Sequence, residues 1–220
     1  MTREEVELQA ASGFVAPELS AEFPGLRLDW LTARAGARES PREVKHRLRT
    51  LSNRYRGASV VAMRTQPIPS AYRTFFRHIG LDPDADRIPS EEAAVARLLQ
   101  GAFTPTTLVA DALLIALIET GVPVWALDAD IVEPGGLGIR TTLAGDRLGS
   151  SEHSHHIAPE RLVVADARGI HALLFGDVVP GHGIGPRTER AILFAVGVDG
   201  VPAIHIEEAL WVCVEVLNSI

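Results

Sequence analysis

The hydrophobic pattern of this chain changes its period at Gly121, and that change limits the fold more than any other feature of the sequence. Before Gly121 most apolar residues recur at helical spacing, whereas short alternating segments separated by Gly, Pro and Asp follow it. Helices grouped ahead of strands predict an α+β fold rather than a regular βαβ repeat. We expect one domain over residues 1–220, in which N-terminal helices pack on a mixed, mainly antiparallel sheet.

Caps and periodicity predict the individual elements. Ser40, Pro41 and Glu43 have the spacing of an N-cap, a first helical residue and a capping box, and they predict the start of a basic helix. The other predicted helices cover residues 3–12, 70–80, 90–101 with Ser90 as the N-cap, 106–119, and 206–217 within the C-terminal segment 201–220. The predicted strands cover residues 26–33, 122–126, 137–142, 162–165, 170–175 and 191–198.

The single cysteine and the absence of long apolar runs exclude several classes of protein. Cys213 stands alone, so the chain has no internal disulfide and no cysteine-rich zinc site, and its apolar neighbours predict a buried side chain. The first residues are acidic, unlike a signal peptide. The most apolar segment, residues 108–117, is interrupted by Asp111 and is shorter than the about 20 residues of a membrane-spanning helix. We therefore expect a cytoplasmic protein without a membrane partner.

Charge is distributed unevenly along the chain. The net charge of −7 argues against a general polyanion binder, so DNA is not expected as a partner, yet residues 26–77 contain twelve basic and three acidic residues. The solvent-facing cations of the basic helix are candidate contacts to RNA phosphates. These candidates are Arg42, Lys45, Arg47, Arg49, Arg54 and Arg56. An equally weighted alternative is a solvated helix face whose cations pair with acidic groups elsewhere in the fold.

A histidine cluster is the only sequence feature that suggests a metal ion. His153, His155 and His156 lie within four residues, and two of them would share one face of a strand. A catalytic metal also needs a third ligand that is held in place by further hydrogen bonds, and the sequence offers none at a suitable spacing. We therefore favour an exposed loop and expect neither a metal nor another cofactor.

Several isolated residues mark a candidate pocket. Asp111 lies in an apolar helix where an unpaired carboxylate is costly, so it lines a pocket or, as the favoured alternative, caps backbone amides. Trp125 walls a pocket or fills the core, and Asp128 follows the same strand. His182 and Arg187 lie beside glycines 181, 183 and 185, which form a pocket edge or merely a tight turn, with equal weight. The motifs of serine hydrolases and P-loop proteins do not occur.

Several segments, taken in order, resemble one family. The most specific is Tyr72-Arg-Thr-Phe-Phe-Arg-His-Ile-Gly-Leu-Asp-Pro, followed by Pro89-Ser-Glu-Glu-Ala-Ala-Val-Ala-Arg-Leu-Leu-Gln-Gly. Together they are similar to the opening signature of free-standing B3/B4 domain proteins, relatives of the editing module in the β subunit of bacterial phenylalanyl-tRNA synthetase. Later segments, residues 108–111, 120–128, 162–166 and 187–193, are also similar, and the resemblance covers about residues 20–200.

The resemblance implies a B3/B4-like fold and a pocket that receives the aminoacylated 3′ end of tRNA and hydrolyses a wrongly attached amino acid. In this interpretation the chain binds tRNA or aminoacyl-tRNA, His182 acts as the general base, and Asp177 is the second catalytic candidate. The substrate pocket would contain Asp111, Trp125, Asp128 and Arg187.

Departures from the family pattern leave a second class of function open. The synthetase usually has histidine where Trp125 stands and asparagines near Thr107 and Leu114, and its glycine pair and glutamate are not reproduced around residues 178–182. Two polar groups associated with editing are therefore missing. The alternative is a non-catalytic module that keeps the fold and binds a small molecule or a protein.

Overall fold

The computed structural model describes residues 10–55, 57–149 and 155–219, and within them it has the α+β fold predicted from the sequence. The helices are α1 (Pro17–Glu22), α2 (Arg42–Arg54), α3 (Gly57–Met63), α4 (Pro67–His78), α5 (Pro89–Gln100), α6 (Leu108–Thr120) and α7 (Ala203–Leu217). The strands are β1 (Ala11–Ser12), β2 (Phe14–Val15), β3 (Arg27–Arg34), β4 (Val124–Asp128), β5 (Gly138–Thr141), β6 (Arg147–Leu148), β7 (His155–His156), β8 (Leu162–Asp166), β9 (Gly169–Leu173) and β10 (Arg190–Gly197).

Two four-stranded sheets take the place of the one sheet that the sequence predicts. The first has the strand order β1-β3-β10-β4 and is antiparallel throughout. The second has the order β2-β5-β8-β9 and is antiparallel except for the parallel pair of β2 and β5. Strands β6 and β7 form a separate antiparallel pair. Both main sheets are mainly antiparallel, as predicted, but the prediction of a single sheet is wrong.

The chain crosses from the first sheet to the second at Gly13. Gly13 donates its N–H to the carbonyl of Leu28 in β3 at 2.8 Å, whereas Phe14 donates to the carbonyl of Leu137 at 3.1 Å. A Cβ atom at position 13 would lie 2.5 Å from the Leu137 oxygen and 2.8 Å from a methyl group of Leu28. The two sheets approach so closely here that only glycine fits.

We expect Gly13→Ala to lower the free energy of unfolding by about 1–3 kcal/mol, because the added methyl group forces backbone atoms of the two sheets apart. Urea denaturation of the purified variant measures this change. Gly135→Ala is the matched control, since a Cβ at position 135 meets no atom within 4 Å. Equal stability of the two variants would show that the crossing at Gly13 is not tightly packed.

Strand β10 lies at the centre of the core. All its side chains from Ala191 to Val196 are buried, so both of its faces are covered. Helix α7 packs against β3 and β10, and side chains of the second sheet such as Val164 and Ala172 belong to the same apolar cluster. Cys213 on α7 is buried as predicted, and burial raises the pKa of its thiol. Among the described residues no helix is both long and apolar enough to cross a membrane.

The helix predicted over residues 3–12 is wrong where it can be compared with the structure. Ala11–Ser12 form β1, and residues 1–9 lie outside the described residues. The hydroxyl of Ser12 donates to Asp29 Oδ1 at 2.9 Å across the β1–β3 pair. Pairing with a distant strand therefore decides the conformation of this segment, and a local pattern carries no information about that pairing.

Ser40 and Ser90 are not the N-caps that the sequence predicts. Helix α2 begins two residues after Ser40 without a side-chain cap, and the Ser40 hydroxyl donates instead to Asp111 Oδ2 at 2.5 Å. Helix α5 begins at Pro89, and α4 begins at Pro67, three residues before its predicted start. Proline fits the first turn of a helix, where its missing N–H would have no partner, so these prolines set the true starts.

Candidate functional site

A carboxylate and two imidazoles form a continuous chain from the protein interior to the surface. Nε2 of His171 lies 2.9 Å from Oδ2 of Asp166, in a close but bent contact between two buried side chains. On the other side of the ring, Nδ1 of His171 lies 3.0 Å from Nδ1 of His182. His182 is half-buried, and its Nε2 is accessible and makes no hydrogen bond within the described residues. We call Asp166, His171 and His182 the histidine relay.

The turn between β8 and β9 holds the carboxylate of the relay. Asp166 ends β8, and its Oδ1 accepts the backbone N–H groups of Arg168 at 2.7 Å and Gly169 at 3.2 Å. Gly169 has a φ of 143°, which glycine adopts without strain. The other carboxylate oxygen accepts the N–H of Glu133 at 2.6 Å. Backbone N–H groups therefore hold both oxygens of the Asp166 carboxylate, which fixes its orientation beside His171.

A β-bulge aims His171 at its two partners. Along β8 the register with β9 passes from Ala172 directly to Ile170, so that His171 is the extra residue of the bulge. Its carbonyl accepts the N–H of Val179 at 2.8 Å, which brings the following loop against β9. That loop contains His182, whose own N–H donates to the Val179 carbonyl at 2.9 Å. The bulge thus positions His171, the central residue of the relay, and its backbone carbonyl holds the loop that contains His182.

The surroundings of the relay set the charges of its two ends. Burial raises the pKa of Asp166, but the N–H of Glu133 and the adjacent His171 lower it more, so the carboxyl pKa lies below its ordinary value. Burial and the nearby His171 lower the pKa of His182, although Asp166 opposes this change. At neutral pH the relay therefore begins with a carboxylate and ends with a neutral imidazole.

These charges determine which nitrogen atoms carry protons. In the neutral form of His171, the carboxylate beside Nε2 favours the tautomer with the proton on that nitrogen, and Nδ1 of His171 is then an acceptor. The neutral His182 then donates its Nδ1 proton to His171, and its Nε2 keeps a lone pair. The solvent-accessible atom of the relay is therefore basic and can take a proton from a water molecule or a hydroxyl group.

We expect Asp166→Asn to reduce stability most strongly at neutral pH. The carboxyl pKa is depressed in the folded state, so its contribution is present above the unfolded-state pKa of about 3.9 and is lost as the pH falls through the folded-state value. At pH 7 the variant should lose about 1–3 kcal/mol of unfolding free energy. Urea denaturation at pH 7 and near pH 3 tests this, and a loss that is as large near pH 3 would contradict it.

Trp125 and Asp177 lie in one cavity of about 580 Å³. Trp125 donates its indole N–H to the carbonyl of Gly176 at 3.1 Å and stacks on Phe194 with 5.5 Å between ring centroids, so it fills the core and also walls the cavity. The apolar lining further includes Leu113, Leu114, Leu117, Val124 and Phe175. Asp177 is exposed, and His182 is not among the lining residues. The two catalytic candidates of the sequence therefore lie in different places, and the partner of His182 is His171.

The loop of His182 also contains contacts to Asp128. The N–H of Asp128 donates to the carbonyl of His182 at 2.9 Å, and its carboxylate accepts the hydroxyl of Thr188 at 2.5 Å. The structure therefore brings Asp128 beside His182 through the backbone, with the Asp128 side chain holding the loop. Arg187 lies exposed on this loop, and its guanidinium has no hydrogen bond or ion pair within the described part of the chain.

The carboxylate of Asp111 is occupied by groups of the chain itself. Asp111 is 1% exposed and accepts the Ser40 hydroxyl at 2.5 Å and the N–H of Thr106 at 3.0 Å. These bonds tie the segment ahead of α2 to the start of α6. Asp111 contacts neither the relay nor the cavity of Trp125, and its geometry is that of the structural alternative rather than of a substrate group.

Arg47, at the middle of the predicted RNA-binding face, is occupied by acidic partners. Its guanidinium forms two hydrogen bonds to Glu119, at 2.9 and 2.6 Å, and a third to Glu215 at 2.9 Å. The hydrogen bond to Glu119 raises the pKa of Arg47. The contacts of Arg47 therefore match the alternative interpretation, in which the cations of this helix pair with acidic groups elsewhere in the fold.

The other cations of α2 are less constrained. Lys45 makes one loose contact, 3.5 Å from a carboxylate oxygen of the exposed residue Glu39. Arg42 and Arg49 are exposed and have no ion pair within the described residues, and Arg54 is also exposed. Arg56 lies outside the described residues. Arg42 and Arg49 are therefore the clearest cations of α2 for a phosphate.

The histidine cluster is described only in part. His153 lies outside the described residues, His155 belongs to β7, and Nε2 of the exposed His156 lies 3.5 Å from Nη1 of Arg147. Within the described ranges no group of three or more His, Cys, Asp or Glu side chains is arranged to hold a metal ion.

Asp166 and His171 are the members of the relay that sequence reasoning missed. Asp166 directly follows a predicted strand, where an aspartate is typical of the start of a turn. His171 lies inside the next predicted strand, where a single histidine is an ordinary strand residue. A usable signal was nevertheless present, because an aspartate that ends one strand and a histidine inside the next apolar strand are separated by only four residues. A tight turn between those strands brings such residues together.

Comparison with known proteins does not identify a relative. No protein-family model matches the chain, and a search of curated proteins finds no significant match. The geometry of the site and the resemblance of its segments are therefore the grounds for a functional proposal.

Proposed function

We propose that the chain is a B3/B4-like domain that binds tRNA or aminoacyl-tRNA and hydrolyses the ester bond of a mischarged tRNA. The observation that carries this proposal is the histidine relay, whose accessible nitrogen, Nε2 of His182, is basic. The resemblance of residues 72–83 and 89–101 to free-standing B3/B4 domains supports the same class of substrate.

The relay supplies the proton transfers that ester hydrolysis needs. A water oxygen attacks the ester carbonyl carbon while Nε2 of His182 takes a proton from that water. The resulting imidazolium keeps its Nδ1 proton, which it donates in a hydrogen bond to Nδ1 of His171, and the carboxylate of Asp166 stabilises the added positive charge. When the bond between the carbonyl carbon and the ribose oxygen breaks, Nε2 returns its proton to that oxygen. The products are the free amino acid and a tRNA with a free hydroxyl.

Two surfaces are suited to the other parts of such a substrate. Arg42 and Arg49 on α2 are free to contact phosphates of the RNA. The cavity of Trp125 is lined by apolar side chains together with Glu92 and Asp177 and has a volume of about 580 Å³, in the range of small-molecule sites, so its apolar part could hold an amino acid side chain.

The test is deacylation of mischarged tRNA by the purified chain. A pool of tRNA carrying non-cognate amino acids is incubated with the protein, and amino-acid release is followed alongside spontaneous hydrolysis. We expect the protein to release amino acids faster than spontaneous hydrolysis does. The release rate should rise with pH as His182 loses its proton, with a midpoint below pH 6.5, and should then become constant. Release at the spontaneous rate for every charged tRNA would reject the proposal.

One observation favours a second candidate, a module that binds a small molecule without catalysis. The cavity of Trp125 contains an exposed carboxylate, Asp177, but is not lined by His182. A cationic ligand with an apolar body would fit this lining. Tryptophan fluorescence during titration with amino acids and amines tests this candidate, which predicts a change in emission that Trp125→Phe removes.

A further inference from the structure

A groove of about 730 Å³ lies at the end of the first sheet, where β3 and β10 meet the C-terminal end of α7. Three arginines, Arg34, Arg38 and Arg190, line it together with one acidic residue, Glu189. The lining therefore has an excess of two positive charges. We call these residues and their neighbours the arginine groove.

Two of the arginines are direct neighbours across the sheet. Arg34 and Arg190 are register partners in the antiparallel pair of β3 and β10, so their side chains leave the same face of the sheet close together. Like charges at such a position are destabilising. Arg34 has no hydrogen bond or ion pair within the described residues, and Arg190 has only an exposed contact of 3.4 Å to Asp130. The fold therefore leaves their repulsion largely uncompensated.

The third arginine is held in place across the groove. Nη2 of Arg38 donates to the carbonyl of Leu217 at the end of α7, at 2.8 Å. This bond occupies one amino group and leaves the other donors of the guanidinium available. A guanidinium that is already fixed loses little conformational entropy when it binds an anion in the groove.

We propose that the arginine groove binds a phosphate group. Guanidinium groups recognise phosphate oxygens through paired, charge-assisted hydrogen bonds, and a bound phosphate would remove the repulsion between Arg34 and Arg190. The groove adjoins the loop of the relay, because Thr188 lines it and also bonds Asp128, whose N–H donates to the carbonyl of His182. Phosphate bound here would anchor a substrate beside that loop. The site goes beyond the hydrolysis proposed above and is tested without it.

The experiment uses inorganic pyrophosphate and the wild-type chain, with Arg34→Gln, Arg190→Gln and Arg87→Gln as variants. Pyrophosphate affinity is measured by calorimetry, and the melting temperature is measured with and without pyrophosphate at constant ionic strength set by chloride. We expect pyrophosphate to bind the wild type and raise its melting temperature. Arg34→Gln and Arg190→Gln should each weaken binding about tenfold or more. Arg87→Gln, which removes an exposed arginine outside the groove, should bind like the wild type.

Loss of folding does not obscure this test. Within the described residues Arg34 makes no hydrogen bond or ion pair that its replacement would break, and removal of the repulsion should leave the melting temperature of Arg34→Gln without pyrophosphate equal to or above that of the wild type. Unchanged affinity in both groove variants, or an equal loss in Arg87→Gln, would overturn the proposal. The same would follow if pyrophosphate did not raise the melting temperature of the wild type more than chloride does.

Competition identifies the source of the phosphate. A short single-stranded RNA with a 5′-hydroxyl offers only internal phosphodiesters, whereas the same RNA with a 5′-phosphate also offers a terminal group. Displacement of pyrophosphate by both RNAs would support the site and assign it to the RNA backbone. Displacement by the 5′-phosphorylated RNA alone would support the site and assign it to a terminal phosphate. Failure of deacylation together with retained pyrophosphate binding would reject the proposed hydrolysis but not the arginine groove.

Discussion

Replacing His182 with glutamine is expected to remove most ester hydrolysis, with a loss of about 10²–10⁴-fold in kcat. Glutamine has a similar polarity but no basic nitrogen, so the attacking water keeps its proton. Nε2 of His182 makes no hydrogen bond within the described residues, so the substitution removes only the Nδ1 contact to His171, and the variant should still fold. The measurement is single-turnover deacylation of mischarged tRNA across pH 5–8, where the titration of a histidine is observed.

A matched control separates loss of the base from a general effect. His205 is a half-buried histidine on α7 whose ring bonds Glu208 alone within the described residues, at 3.1 Å, so His205→Gln should keep the wild-type rate. Asp166→Asn tests the positioning role of the buried carboxylate. Asp166 opposes the lowering of the His182 pKa, so its neutralisation should move the midpoint of the pH–rate profile to lower pH. Full activity of His182→Gln would exclude the relay as the source of catalysis.

The change from helices to strands along this chain could be predicted because the spacing of apolar residues and the residues typical of helix ends are local properties of the sequence. Strands β4, β5, β8, β9 and β10 and helices α6 and α7 all overlap the predicted segments, and the α+β class is confirmed. Errors occur where a distant contact decides the local structure. Ser40 has the local features of an N-cap, but Asp111, 71 residues away along the chain, takes its hydroxyl. Gly13 connects two sheets through bonds that no local pattern encodes.

The candidate site was predictable only in part for the same reason. His182 drew attention because it stands among glycines, but its partner could not be deduced, since the bulge at His171 depends on the register of two strands. Charge counting identified an excess of basic residues, yet it could not show that Arg47 is neutralised by Glu119 and Glu215. Nor could it show that Arg34, which stands beside another arginine, has no ion pair among the residues that the structure describes. Pairing between distant charges is a property of the tertiary structure.

The two most specific segments of the resemblance are joined by a buried ion pair. Arg73 on α4 belongs to the first segment and Glu91 on α5 to the second. Nη1 of Arg73 lies 2.9 Å from each carboxylate oxygen of Glu91, and the side chains are only 8% and 2% exposed. The guanidinium also donates to the carbonyl of Pro83 at 3.2 Å and to Asp84 at 2.9 Å. These contacts fix the start of α5, which lines the cavity of Trp125.

We expect Arg73→Leu to lower the free energy of unfolding by about 3–5 kcal/mol, because it leaves the carboxylate of Glu91 buried without its main partner. Urea denaturation at pH 7 gives the change. Arg77→Leu is the matched control, since Arg77 is an exposed arginine on the same helix whose side chain has no hydrogen bond or ion pair among the described residues, and it should lose less than about 1 kcal/mol.

The double variant Arg73→Leu/Glu91→Leu shows whether Arg73 stabilises the fold by compensating the charge of Glu91 or by packing. A buried charge without a partner costs more than an apolar pair of similar volume, so the double variant should be more stable than Arg73→Leu alone. If the double variant is instead the less stable, the arginine acts through packing of its aliphatic part rather than by compensating Glu91. Pyrophosphate binding at the arginine groove should be unchanged in a folded double variant, because none of its altered residues lines that groove. The contacts of Arg73 and Glu91 thus anchor the start of α5 beside the cavity of Trp125, apart from the histidine relay.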